Sequence, residues 1–282
     1  MEIRDFGKVG VLMGGPSSER EISLKSGKAV LHALLDSSVN ALGIDIITDN
    51  AQENIQLLKS HNLDGVFIAL HGRFGEDGTI QGILEKMNLP FTGSGVTASR
   101  LTMDKIGSLE VFRKAGLYTP DSRVLERSIY KKNQDFKNEF GLPLVIKPAN
   151  HGSSIGLSIV ESDSDIAAAI DLAFQFDQRI IVEQYIKGRE LTVGVLDELA
   201  LPVIEIIPQN KFFDFQAKYQ AGLTEYIVPA HLDDEVTLAV QKAALSAHKA
   251  LGCFGCSRTD IILSQNKFPY LLEVNTIPGM TA

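Results

Sequence analysis

Apolar and polar positions alternate along this chain in blocks whose period switches between that of a strand and that of a helix. Residues 9–13 are a continuous apolar run of the kind a buried strand carries, and the Gly-Gly-Pro-Ser-Ser of 14–18 is a tight turn. Over 19–35, Ile22, Ser26, Ala29, Ala33 and Leu34 fall near helical spacing, and Ser18 followed by Glu21 is a capping-box signature. A strand over 41–47, a helix over 51–60, a strand over 65–70 and a loop over 71–78 follow. That alternation predicts a parallel sheet wrapped by helices.

From about Ser94 the texture changes. A helix over 98–115 is followed by Thr119-Pro120 and a strand–helix–strand–strand region reaching Ile186. Strand-like runs over 190–195 and 201–208, a polar aromatic loop over 210–226, a helix over 233–251 and a hairpin joining 260–263 to 270–275 complete the chain. The expectation is an α/β protein of three lobes, 1–94, 95–187 and 188–282, the later two of α+β character. A chain of 282 residues is long enough for a sizeable core and suits one enzyme body of two or three lobes.

Charge narrows the possible partners. Thirty-five acidic against 27 basic residues leave −8, so no broad basic face is expected for nucleic acid or an anionic membrane, and anionic ligands must be held locally. The start lacks a signal-peptide pattern and no apolar run approaches a membrane span, which predicts a cytoplasmic protein. The two cysteines, Cys253 and Cys256, form a lone CxxC without a second pair or nearby histidines, and plain packing is the expected role.

The hairpin carries the sharpest chemical signal. Counting back from a turn centred between Asn266 and Lys267 sets Asp260 opposite Glu273, with Glu273 and Asn275 on one face by the two-residue period of a strand. Facing carboxylates need a compensating cation, and an Asp, a Glu and an Asn amide oxygen make the hard oxygen set that magnesium prefers; a solvated hairpin edge is the plainer alternative. Lys147 ends an apolar strand ahead of the small-residue loop 152–156, Gly-Ser-Ser-Ile-Gly, which can present N–H groups to phosphate oxygens or be only a turn. Glu183 and Glu190 bracket a short connector that suits a nucleoside's donors, although an ordinary polar turn accounts for them equally well. Lys105 reads locally as a surface helix lysine. Gly14-Gly15 lacks the spacing of a dinucleotide site, and Glu19 in the first helical turn suits either helix capping or a ligand ammonium.

Seven strings, GGPSSEREISLKSGKAV, ALHGRFGEDGTIQG, FTGSGVTASRLTMDK, VIKPANHGSSIG, FFDFQAKY, GCSRTDIIL and LLEVNTIPGMT, resemble in order the motifs of the bacterial D-alanine–D-alanine ligases of the ATP-grasp superfamily. The resemblance implies an ATP-grasp fold with an N-terminal Rossmann-like domain, ATP and two magnesium or manganese ions, and D-alanine as the amino-acid substrate. It implies Lys105, Lys147 and Lys218 on the phosphates, Ser153 in the loop that covers them, Glu183, Tyr185 and Ile186 at the adenine, and Glu190 on the ribose. Asp260, Glu273 and Asn275 match the metal ligands. Glu19 would hold the first substrate's ammonium with Ser153 and Tyr219 tying it to mobile loops, His71 would position substrate, and Arg258 and the Gly279 N–H would stabilise an oxyanion.

The implied reaction joins two D-alanines through a D-alanyl phosphate for peptidoglycan synthesis, in a cytoplasmic homodimer with no nucleic-acid or membrane partner. Competing expectations are a D-alanine–D-lactate or D-alanine–D-serine ligase, against which Tyr219 argues, and a nucleotide-binding protein without turnover. The family pattern continues past Ala282 with a Ser-Leu pair for the second substrate's carboxylate, so the expectation is either a chain shortened relative to the encoded protein or a second-substrate pocket built differently.

Overall fold

The computed structural model describes residues 6–131, 135–152, 155–208 and 224–280. Strands β1 (Val9–Gly14), β2 (Ala41–Ile46) and β3 (Gly65–Ile68) make a parallel sheet in the order β2-β1-β3. Neighbouring residues of β1 serve opposite faces. Val11 and Met13 pack with Ala69 and with Leu24, Leu31 and Leu34 of helix α1 (Arg20–Asp36), whereas Leu12 joins Ile44, Ile46, Leu58, Ile80 and Leu84. Leu58 comes from α2 (Ala51–Ser60), Ile80 and Leu84 from α3 (Thr79–Lys86). Because both faces are covered, the strand reads as an unbroken apolar run and not as an alternating one. α1 lies so close to β1 that a Cβ on Gly27 would collide with the Met13 side chain.

Helix ends differ in three places from the sequence expectation. α1 begins after Glu19 with no side-chain cap, so the Ser18–Glu21 capping box does not form. Ser17 takes over the local bonding: its hydroxyl donates to the His71 carbonyl at 2.7 Å and accepts the Glu19 N–H at 3.2 Å. The single helix expected over 98–115 is two, α4 (Val96–Met103) and α5 (Lys105–Lys114), divided at Asp104, whose carboxylate accepts the Ile106 N–H at 3.1 Å. Asp is a strong N-cap because it satisfies an N–H that a new helix leaves bare. α3 had no counterpart in the periodicity reading.

A second, antiparallel sheet takes the order β4-β7-β5-β6, from β4 (Ser122–Glu126), β5 (Leu144–Pro148), β6 (Ser158–Val160) and β7 (Arg179–Gln184). One of its faces buries Leu144, Ile146, Ile180 and Val182 against Phe136 of α6 (Phe136–Phe140) and Ile170, Ala173 and Phe174 of α7 (Ile166–Phe176). α7, another helix absent from the strand–helix–strand–strand expectation, is apolar along most of its length.

A third sheet runs β11-β10-β8-β12-β13, with β9 (Leu199–Ala200) beside β8. Its strands are β8 (Gly188–Leu196), β10 (Ile204–Pro208), β11 (Thr224–Ile227), β12 (Cys256–Ser264) and β13 (Pro269–Asn275). Helix α8 (Asp234–Ala250) buries Val236, Val240, Ala243, Ala244 and Ala247, the stripe a period of 3.6 puts on one face.

The chain divides into two compact units, one of residues 1–102, 252–257 and 275–282, the other of 103–251 and 258–274. Among the described residues no helix is long and apolar enough to cross a membrane.

Candidate active site

In the second unit a cavity of about 790 Å³ opens between strands of its two sheets, and Lys105, Lys147, Glu183, Glu190, Asp260 and Glu273 all line it. Tyr185 and Ile186 line it too, on the segment between β7 and β8. Eight positions drawn from four stretches of sequence, at 105, 147, 183–190 and 260–273, therefore share one space.

Lys147 on β5 and Glu183 on β7 sit diagonally across neighbouring strands, since Val145 is the residue that pairs with Glu183. The ammonium lies 2.7 Å from Glu183 Oε1, and the two side chains are 8% and 3% exposed. Glu183 Oε2 is buried and has no hydrogen-bond partner among the described residues. A buried carboxylate oxygen left bare is costly and marks a place where a ligand's N–H or O–H fits.

Lys105 is no surface lysine. It opens α5, where its backbone N–H donates to the Ala149 carbonyl at 3.1 Å, and its ammonium meets Glu273 Oε2 at 2.7 Å and the His151 carbonyl at 2.9 Å. Local sequence gave no sign of this because both partners are more than 40 residues away. The hairpin is brought to α5 by the segment after that helix: the Leu271 N–H donates to the Tyr118 carbonyl at 2.9 Å, and the Tyr118 ring packs on Phe268 and Tyr270.

The hairpin turn differs from the expected one. Its turn has three residues, Gln265 to Lys267, closed by Lys267 N–H to Ser264 O and Ser264 N–H to Phe268 O, with Lys267 at φ 63° in the left-handed position of a type I turn with a bulge. Counting from that bond sets Asp260 opposite Leu272, one residue short of Glu273. Burial then alternates strictly along β12 but skips at Leu272-Glu273 on β13, where two successive residues line the cavity, as in a β-bulge. Asp260, Leu272 and Glu273 all line the cavity.

Asp260 is held by three donors. The Arg258 guanidinium grips it through two bonds of 3.0 and 2.9 Å, and the Thr192 hydroxyl donates to Oδ1 at 2.8 Å. Burial raises the Tyr226 phenol above its usual value, with Arg258 opposing and Glu190 reinforcing that shift, so this ring feels both charges. Arg189 and Glu205 form a further ion pair on the lining. Among the described residues no group of three or more His, Cys, Asp or Glu is gathered for a metal. The set here is two carboxylates with Asn275 at the end of the same strand, where its amide oxygen accepts the Ile277 N–H at 2.8 Å. The hard oxygens of Asp260 and Glu273 on the cavity lining fit a magnesium-type ion that keeps several of its waters.

The loop after Lys147 is anchored at its start. Asn150 donates its backbone and side-chain N–H groups to Asp177 Oδ2. Burial works to raise the Asp177 carboxyl, but the N–H groups of Arg179, Asn150 and Gln178 outweigh it and hold the group below the usual carboxylate range. Ser153, Lys218 and Tyr219 lie outside the described residues.

In the first unit the order β2-β1-β3 makes a switch point at the carboxyl ends of β1 and β3, the position where α/β sheets take ligands. Glu19 and His71 stand on the two loops leaving it. Gly72, at φ 71°, touches Glu19: a Cβ there would sit 2.5 Å from Glu19 Oε2. Asn275 and Gly279 belong to this unit as well. Both cysteines are thiols, and burial pushes Cys253 up to about 11, which suits packing and not redox work.

Thr192, Ser17, Ser26 and the Arg189–Glu205 pair escaped the sequence reading. Thr192 follows Glu190 by two and so shares its strand face, a usable signal. Short hydroxyl side chains otherwise leave no pattern to read.

Residues 111–282 match the family profile described as D-ala D-ala ligase C-terminus, and 47–94 match D-ala D-ala ligase N-terminus. The chain is 50% identical over 274 residues to the D-alanine--D-alanine ligase of Geotalea uraniireducens, covering 97% of this chain and 86% of that one. The crystal structure of D-alanine--D-alanine ligase from Bacillus anthracis complexed with ATP superposes with a TM-score of 0.82 at 34% identity, covering 97% and 87%. That of the VanG D-Ala:D-Ser ligase from Enterococcus faecalis gives 0.78 at 31%, covering 97% and 91%.

Proposed function

Because the chain belongs to the D-alanine–D-alanine ligase family, we propose that it joins two D-alanines at the expense of ATP, and that the cavity of the second unit takes the nucleotide. The bare Oε2 of buried Glu183 carries this reading, because an adenine amino group supplies the donor it lacks. Tyr185 and Ile186 offer apolar contact to the base and Glu190 accepts from the ribose.

Among the described residues, three cations at or beside the cavity already have a carboxylate partner. Lys105 is paired with Glu273, Lys147 with Glu183 and Arg258 with Asp260. With a magnesium triphosphate bound, Lys105 and Lys147 would bond phosphate oxygens and Asp260 and Glu273 would face the ion, while Glu183 would stay with the base. Asp260 and Glu273, with Asn275 beyond them on the strand, would hold that ion, which when bound neutralises charge on the phosphates. Lys218 adds a cation.

The carboxylate of the first D-alanine attacks the γ-phosphorus, the bond to the β,γ-bridging oxygen breaks, and ADP leaves an acyl phosphate behind. The free amine of the second D-alanine attacks the activated carbonyl, and collapse of the tetrahedral adduct expels phosphate and forms the peptide bond. We assign Glu19 to the first ammonium, His71 to substrate positioning, Arg258 and the Gly279 N–H to the oxyanion, and Ser153 and Tyr219 to loops that exclude water. By family membership we place the protein in the cytoplasm as a homodimer of three-lobed subunits (1–94, 95–187, 188–282) that supplies D-Ala-D-Ala for peptidoglycan.

The test is ADP release measured in parallel with D-alanine, L-alanine, D-serine and D-lactate. D-alanine-dependent ADP with matching D-Ala-D-Ala supports the reading. Equal rates with L-alanine, or tight ATP binding without D-alanine-dependent ADP, would overturn it.

A further inference from the structure

α1 turns two fully buried hydroxyls, Ser23 and Ser26, toward the carboxyl end of the parallel sheet. Ser23 donates to the Ala69 carbonyl at 2.7 Å, an ordinary tie between helix and strand end. Ser26 does something else. Its Oγ lies 2.9 Å from His71 Nε2 and receives the Met280 N–H at 3.1 Å, across 254 residues of chain. One oxygen thus touches the loop assigned to the first substrate and the backbone directly after Gly279.

Proton bookkeeping points to one assignment of the roles. The Met280 N–H can only donate, so it uses a lone pair of the serine oxygen. The hydroxyl proton needs an acceptor, and of the two groups bonded to Ser26 only His71 Nε2 can be one. His71 is then a neutral imidazole with its proton on Nδ1. We infer that Ser26 is a positioning residue that fixes His71 as the Nδ1–H tautomer and, through the same hydroxyl, fixes the peptide between Gly279 and Met280.

This role deepens the ligase reading and rests on it. His71 is 6% exposed, so its ring cannot turn freely to find another donor. The peptide carrying the Gly279 carbonyl and Met280 N–H sets the direction of the neighbouring Gly279 N–H, and oxyanion donors act only when aimed at the charge. Replacing Ser26 by Ala removes the shared anchor, leaving a ring nitrogen and an N–H without this partner and the Gly279 peptide free to turn. A misaimed group costs activity while ATP binding in the other unit is untouched.

Two measurements decide it. In protein carrying 15N-histidine, long-range 1H–15N correlation reports which ring nitrogen bears the proton, and the His71 signal is identified by its loss in His71→Gln. The expected pattern is Nδ1 protonated and Nε2 bare; a protonated Nε2 overturns the inference without reference to any activity. Kinetically, Ser26→Ala should lower kcat about tenfold or more, with the KM for ATP within about twofold of wild type. Ser26→Thr, which keeps the hydroxyl, should recover most of the loss, and Ser23→Ala should match Ser26→Ala in lost stability but retain near-normal kcat. Equal kcat in Ser23→Ala and Ser26→Ala contradicts the proposal. Wild-type protein that releases no ADP with D-alanine refutes the ligase reading instead, and the tautomer result then still judges Ser26.

Discussion

Lys147 and Glu183 show most plainly how a single residue can serve both stability and binding. Their charges are buried together, and removing one partner strands the other in a poor solvent for ions, which typically costs about 3–5 kcal/mol. Lys147→Met should therefore lower the urea unfolding midpoint markedly, while Lys147→Met with Glu183→Gln should recover much of that stability. Neither variant should bind ATP well, as read by equilibrium titration; normal ATP affinity in the double variant would remove the lysine from the phosphate site. His248 carries a different signature. Burial and Lys249 lower its pKa from the usual 6.5, against a smaller opposing effect of Asp197. The folded state thus favours the neutral ring, so the contribution to stability is complete above about pH 6.5 and lost as pH falls from there through the folded value. His248→Gln should flatten urea midpoints between pH 5 and 7.5 relative to wild type; an unchanged slope would assign that dependence elsewhere.

Elements divide into those the sequence announces and those it hides, and the division has physical causes. β1, α1, β2 and α2 were legible because each buries a continuous run or stripe in a local pattern. α7 was not, since its Ile-Ala-Ala-Ala-Ile run is apolar almost all round and lacks a polar face to mark the period. The metal-type hairpin was legible in its residues but not in its geometry: the three-residue turn sets Asp260 opposite Leu272 by count, one residue from the expected partner Glu273, and both carboxylates line the cavity. Lys105 was invisible locally because its partners come from distant segments. The break between α4 and α5 could have been read from Asp104, a cap residue followed by helix formers. Asp104→Ala should cost about 1 kcal/mol as a lost cap, and more if its 3.4 Å contact with Arg179 contributes. Thermal unfolding checks this, and a stability equal to wild type would mean that Asp104 does not hold the start of α5. The same substitution should weaken ATP binding, because Lys105 sits at the first position of that helix.

At the scale of the whole molecule, an acidic chain of net charge −8 has to bind a triphosphate. We propose that it does so with cations gathered locally, Lys105, Lys147 and Arg189 on the lining of one cavity and Arg258 against Asp260, each paired with a carboxylate. Net repulsion at long range is screened within about 8 Å at physiological salt, so such local pairs govern binding. The first unit offers a different chemistry, a sheet switch point bordered by Glu19, His71 and Ser26, where we propose that the amino acid binds. The account stands on activation of a carboxylate by phosphoryl transfer, and oxygen tracing tests that step directly. With D-alanine labelled by 18O in its carboxylate, one labelled oxygen should appear in inorganic phosphate for each dipeptide formed. Phosphate free of the label while dipeptide accumulates would contradict it.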